Sequence, residues 1–172
     1  MSRMGLFLAA AVLVPAGLVG VASPAHALLD QTCVVNEVIT WSPPISDTPQ
    51  NVTFTVHGQL VNCTSGSASA GSYFETGTAS SATCTSLLGA GSGTRVFHWT
   101  NTAIAPSAFA YNRTTIRVNN NLQVVAVGSI VAGTFTPLPA KSVGTAPQLD
   151  PIACATTGVP QQTAAGLLTI GL

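Results

Sequence analysis

Residues 51–60, NVTFTVHGQL, alternate without a break. Val52, Phe54 and Val56 fall on one side, and Thr53, Thr55 and His57 on the other. Successive side chains of an extended chain leave opposite faces, so a period of two in a Thr- and Val-rich run predicts a half-buried β-strand. CVVNEVITW (33–41) is equally β-prone, and the prolines of SPPISDTPQ (42–50) exclude a helix or a central strand between the two. A hairpin with a long connection is expected. RVFHWT (95–100) sets Phe97 and Trp99 against Val96 and His98. AFAYNRTTIRV (108–118) and LQVVAVGSIV (122–131) flank Asn119-Asn120-Asn121, and asparagine tolerates the left-handed backbone of tight hairpin turns. AAGLLTIGL (164–172) supplies a closing strand, while the Ser/Gly/Ala/Thr tracts at 64–72 and 89–94 read as loops. No stretch beyond the leader carries a 3.6-residue period with caps. The expected fold is all-β: an antiparallel β-sandwich of about seven or eight short strands, immunoglobulin-like in outline, with a small β-barrel as the alternative.

The amino-terminal segment has a different logic. Arg3, the apolar run LFLAAAVLVPAGLVGVA and the triplet Ala25-His26-Ala27 form a signal peptide with its small-residue cleavage site. Residues 1–27 are therefore expected to be removed after Ala27. Residues 28–172 form a single secreted β-domain, extracellular or associated with the cell wall, with no membrane span in the mature chain. Cys33 stands too far from the cleavage point to be a lipid anchor. Four cysteines in an exported chain predict two disulfides. Cys33 opens the first strand of the proposed hairpin and Cys63 closes the second, so antiparallel pairing joins Cys33 to Cys63 and leaves Cys84 for Cys154. No CxxC-like spacing suggests a zinc or redox site.

Charge is scarce. Charged residues make up 6% of the chain, against about 25% in ordinary domains. Beyond residue 27, four cationic side chains (Arg95, Arg113, Arg117, Lys141) face five carboxylates (Asp30, Glu37, Asp47, Glu75, Asp150). Such a chain has no basic patch to neutralise phosphates, so nucleic-acid binding is not expected. With 47% hydrophobic residues it can still bury a core. Catalytic motifs are missing. GAGSG (89–93) lacks the spacing and the following helix of a nucleophile elbow. His57 and His98 lie in no metal-binding spacing, and no cofactor or metal is expected. Trp99, in phase with Phe97, reads as core. Trp41, beside the Pro-rich loop, and Tyr111 are the candidate ligand-contact aromatics, since exposed rings on a β-domain can stack on sugars.

The leader, NVTFTVHGQLVNC ending at Cys63, GSGT with Trp99-Thr100-Asn101, VAVGSIVAGTF, PIACATTGV with Cys154 and AAGLLTIGL together resemble small secreted proteins of actinobacteria, mostly of unknown function. The resemblance implies an exported, disulfide-bonded β-sandwich and supplies no catalytic residues. The function expected is that of a non-catalytic secreted or wall-associated binding protein, whose partner is a cell-envelope polymer or another extracellular protein. The alternative is a secreted hydrolase or enzyme inhibitor using the His98/Trp99 region.

Overall fold

In the computed structural model, which describes residues 30–171, eight antiparallel strands close into one barrel in sequence order. They are β1 (Gln31–Ile45), β2 (Gln50–Val61), β3 (Gly71–Ala82), β4 (Gly89–Trp99), β5 (Ser107–Val118), β6 (Asn121–Ala132), β7 (Pro139–Pro147) and β8 (Val159–Ile170). A short helix, α1 (Pro151–Ala155), precedes β8. Closure comes from β8 pairing with β1, in a register that sets Cys33 opposite Leu168 and Val35 opposite Gly166. The expected leader falls outside the described residues. Among those described, no helix is long and apolar enough to cross a membrane.

The immunoglobulin-like sandwich expected from the strand pattern is therefore incorrect, and the barrel alternative holds. Sandwich and barrel demand the same inward–outward alternation along each strand. They differ in which strands pair, and alternation is silent on that. Interior size is the physical reason for the barrel. A small barrel fills its lumen by setting large residues against small ones. Here a Cβ on Gly58 would lie 1.9 Å from the Tyr73 ring of the facing strand, and one on Gly77 would lie 2.5 Å from that of Phe54.

Two apolar clusters fill the barrel. Leu60, Phe97, Trp99, Phe109, Ile130, Leu168 and Ile170 pack together in one. Trp41, Ile45, Val52, Leu149 and Val159 pack in the other, with α1 contributing Cys154. The disulfides are Cys33–Cys63 and Cys84–Cys154, the pairs expected from the hairpin argument. The first ties β1 to the end of β2, and the second ties the β3–β4 connection to α1.

Local chemistry explains most of the remaining detail. Asn119 and Asn120 both adopt positive φ (47° and 62°), and Val118 pairs with Asn121, so β5 and β6 are joined by a two-residue turn. Asp150 caps α1 by accepting from the Ile152 amide at 2.8 Å, with Pro151 in the first turn. That five-residue helix was not expected. Residues 89–94, expected to be a loop, begin β4 instead and pair with β5 from Gly89↔Thr115 onward. Their glycines hide the alternation because they have no side chain to alternate. Residues 42–45, expected to lie outside any strand, instead end β1, with Pro43 and Pro44 where the β1–β8 ladder breaks between Thr40 and Ile45.

Candidate functional site

Between the apolar clusters lies a layer of charge. Glu37 is in phase with Val35 and Trp41, Glu75 with Tyr73, Arg95 with Phe97 and Trp99, and Arg113 with Phe109. These four charges therefore point into the barrel. Arg95 Nη1 donates to Glu37 Oε1 at 3.0 Å and to the Tyr73 hydroxyl at 3.0 Å, and Nη2 donates to Glu75 Oε2 at 2.7 Å. The Tyr73 hydroxyl donates to Glu37, and the Tyr111 hydroxyl donates to Glu75 at 2.9 Å. The Arg95 guanidinium also stands 4.1 Å from the Tyr73 ring centre, a cation–π contact.

Glycines make these reaches achievable. Gly58 pairs with both Glu37 and Tyr73, so the Tyr73 ring lies across the bare backbone of β2 to meet Glu37 on β1. Gly93 does the same for Tyr111, whose hydroxyl sits 2.7 Å from where a Cβ would be, on its way over β4 to Glu75 on β3. Burial, with the neighbouring Glu75, pushes the Tyr111 hydroxyl up to about 12. Burial pushes Tyr73 up further still, against the opposing pull of Arg95. Burial works against the Arg95 charge, yet Tyr73, Glu75 and Glu37 together hold it above the ordinary arginine value.

This network is bonded mainly to itself, with Arg95 Nε its one buried donor left without a partner among the described residues. The space beside it is about 50 Å³, bordered by Glu37, Arg95, Arg113, Ser142 and Gly144. That is room for ordered water, well below the ~300–1,000 Å³ of organic-ligand pockets. Arg113 donates to Thr115 Oγ1 at 3.1 Å. His57 and His98 stand away from the interior, at outward positions on β2 and β4, and the two interior carboxylates, Glu37 and Glu75, are engaged by Arg95. His57 packs on Phe74 at 4.7 Å between ring centres, and His98 pairs with Ser72. Trp99 points the other way and donates from Nε1 to Ser107 Oγ at 2.9 Å. The His98/Trp99 neighbourhood is thus divided between the two faces of β4.

Asp47, Cys84 and Cys154 bring ligand-type atoms within 4.8 Å of one another. Thiolates are what bind metal, and both sulfurs are spent on the Cys84–Cys154 bond. The oxidised protein offers one carboxylate there.

Of the two candidate aromatics, Trp41 is buried in the second apolar cluster. Tyr111 points inward yet borders a different feature. Its register partners are Gly93 on β4 and Gly128 on β6. On the outer face the neighbouring side chains are short, with Thr94, Ala110 and Ser129 in one row and Ser92 beside Asn112 in the next, so the wall is low there. The result is a depression of about 520 Å³ lined by Ser92, Thr94, Ala110, Tyr111, Asn112 and Ser129. Its outward side chains are hydroxyls, an amide and a methyl, with no charge. Elsewhere on the outward strand positions, among the described residues, Lys141 is the one charged side chain.

Comparison with known protein families, with curated proteins and with solved structures returns no match for this chain.

Proposed function

We propose that this is a non-catalytic protein, secreted or held at the cell wall, that binds a hydroxyl-rich envelope polymer in the depression over β4, β5 and β6. The observation that carries the reading is the division of chemistry between the two faces of the barrel. Glu37, Glu75, Arg95 and Arg113 face inward, the first three bonded to one another, while the outer wall over β4, β5 and β6 offers an uncharged concavity ringed by Ser92, Thr94, Asn112 and Ser129. Hydroxyl and amide side chains exchange hydrogen bonds with water for hydrogen bonds with sugar hydroxyls at little desolvation cost.

The test is co-sedimentation of the purified secreted form with isolated envelope polysaccharide. Ala110→Arg, which fills the concavity, should weaken binding at least tenfold, and His57→Gln/His98→Gln should leave it unchanged. Binding that survives Ala110→Arg and disappears in the histidine variant would overturn the reading.

The hydrolase alternative, expected at the His98/Trp99 region, finds a different support in the convergence of Asp47, Cys84 and Cys154. It requires the Cys84–Cys154 bond to open first, so it predicts zinc uptake by reduced protein accompanied by a gain of hydrolytic activity.

A further inference from the structure

The barrel is zipped unevenly. Most neighbouring strands pair along much of their shared length; even the short β7 pairs with β8 from Ala140↔Ile170 to Thr145↔Ala165. The β3–β4 ladder consists of Gly71↔Trp99 and Ser72↔His98 and then stops. Yet β3 runs on to Ala82, and β4 begins as far back as Gly89. Along this seam each strand is laddered on its other side, to β2 or to β5, and leaves an edge free. Just below the last paired residues, Arg95 on β4 reaches Glu75 on β3 and clasps the seam by side chains where main-chain bonds have ended. Past the clasp the flanking residues are Gly77, Thr78, Ala79 and Ser80 on one strand and Ala90, Gly91, Ser92 and Gly93 on the other.

A free strand edge is a template for another strand, and proteins usually blunt it with lysine, proline or a covering element. Neither edge of this seam contains a lysine or a proline. We infer that the open part of the β3–β4 seam is a strand-addition site for an extended, uncharged peptide. Two walls of alternating N–H and C=O groups are complemented by a polyamide backbone, which carries donors and acceptors at the same repeat; a glycan or a lipid does not. The side chains that an added strand turns inward must be small. Phe54, Arg113 and Tyr111 already lie over Gly77, Gly91 and Gly93. Those it turns outward meet Thr76, Thr78, Ser92 and Thr94, none charged, so a charged peptide would find no counter-ion there. The preferred partner therefore alternates Gly, Ala or Ser with Thr or another uncharged β-former. This site adjoins the polymer-binding depression, sharing Ser92 and Thr94 with it, but it uses the main-chain edges of β3 and β4 and does not depend on that reading.

The experiment is amide hydrogen exchange on the oxidised secreted form, with and without a capped Ala-Thr-Ala-Thr-Ala-Thr-Ala-Thr peptide. A twin peptide, N-methylated at alternate residues, has the same side chains but lacks donors along one edge. The octapeptide should slow exchange at least tenfold within 76–80 and 90–94 and leave β6 and β7 unchanged, and the twin should do nothing. Three results would overturn the inference. They are unchanged exchange at millimolar octapeptide, equal protection by the twin, and protection that appears without peptide as protein concentration rises, which would give the edges to a second copy of this chain.

Discussion

Replacing Arg95 by methionine is the sharpest perturbation of the interior. One guanidinium serves two carboxylates and a phenol, and the side chains of Arg95, Glu37 and Glu75 are 11%, 18% and 13% exposed. Solvent cannot take over its role at that burial. Removing one partner of a buried ion pair costs about 3–5 kcal/mol, because the other charge is left without compensation. Here two carboxylates are left, so the upper half of that range is expected. Against a typical domain stability of ~5–15 kcal/mol, this is a large fraction. The assay is urea unfolding followed by the fluorescence of Trp41 and Trp99, one in each apolar cluster. The companion variant, Arg95→Met with Glu37→Gln and Glu75→Gln, removes the three bonded charges, leaving Arg113 on Thr115, and should recover most of the loss, since replacing a whole buried ion network is often near neutral. A loss below about 1 kcal/mol for Arg95→Met would refute the reasoning, because it would mean the network is hydrated like a surface salt bridge. A triple variant no better than the single one would refute it differently, by showing that Arg95 acts through packing and not through charge.

Three further outcomes follow from the same geometry. Absorbance titration of the two tyrosines should show neither ionising at the ordinary value near 10; Tyr111 should ionise at about 12 and Tyr73 later. A tyrosine that keeps its proton in the fold and loses it at about pH 10 when unfolded stabilises fully below pH 10, so the urea midpoint should fall as pH rises from 10 to 12. Removing the disulfides pairwise should cost about 3.7 kcal/mol for Cys33–Cys63 and about 4.4 kcal/mol for Cys84–Cys154 by loop-closure entropy, read from denaturation of the Ser/Ser variants. Gly58→Ala should be strongly destabilising, since its methyl would overlap the Tyr73 ring, whereas Gly144→Ala enters open space and should be neutral or stabilising by up to ~1 kcal/mol. Thermal melts of the two variants give the comparison.

The all-β class, the β5–β6 hairpin at Asn119-Asn120 and both disulfides are readable from alternation, turn residues and cysteine placement. Those are local properties or follow from one hairpin. Barrel closure is not local. It depends on Val34 meeting Leu167 across most of the chain, and no periodicity within either strand records it. The interior network was missed for a different reason. Glu37 occupies the inward phase of CVVNEVITW, Arg95 that of RVFHW and Arg113 that of FAYNR, so charged residues on apolar phases were a visible sign of a polar lumen. Reading charge as a total, and not by phase, hid it. The depression beside Tyr111 escaped because it is made by short outward side chains, Ser92, Thr94, Ala110 and Ser129, that come side by side only when β4, β5 and β6 pair in the folded chain. Trp41 shows the converse: proximity to a Pro-rich loop suggested exposure, but its phase with Val35 and Ile39 carries it into the core.

Which groups face the lumen depends on β8 closing onto β1. Nuclear Overhauser contacts between the two strands test it most directly, in oxidised protein labelled for backbone assignment. The barrel predicts an unbroken antiparallel series pairing Cys33 with Leu168, Val35 with Gly166 and Glu37 with Ala164, alongside the β1–β2 series from Val34↔Val61 to Ser42↔Thr53. A β1 strand with contacts to β2 alone, or a β8 strand paired to some strand other than β1 and β7, would contradict the closed barrel and with it the division of chemistry between lumen and wall.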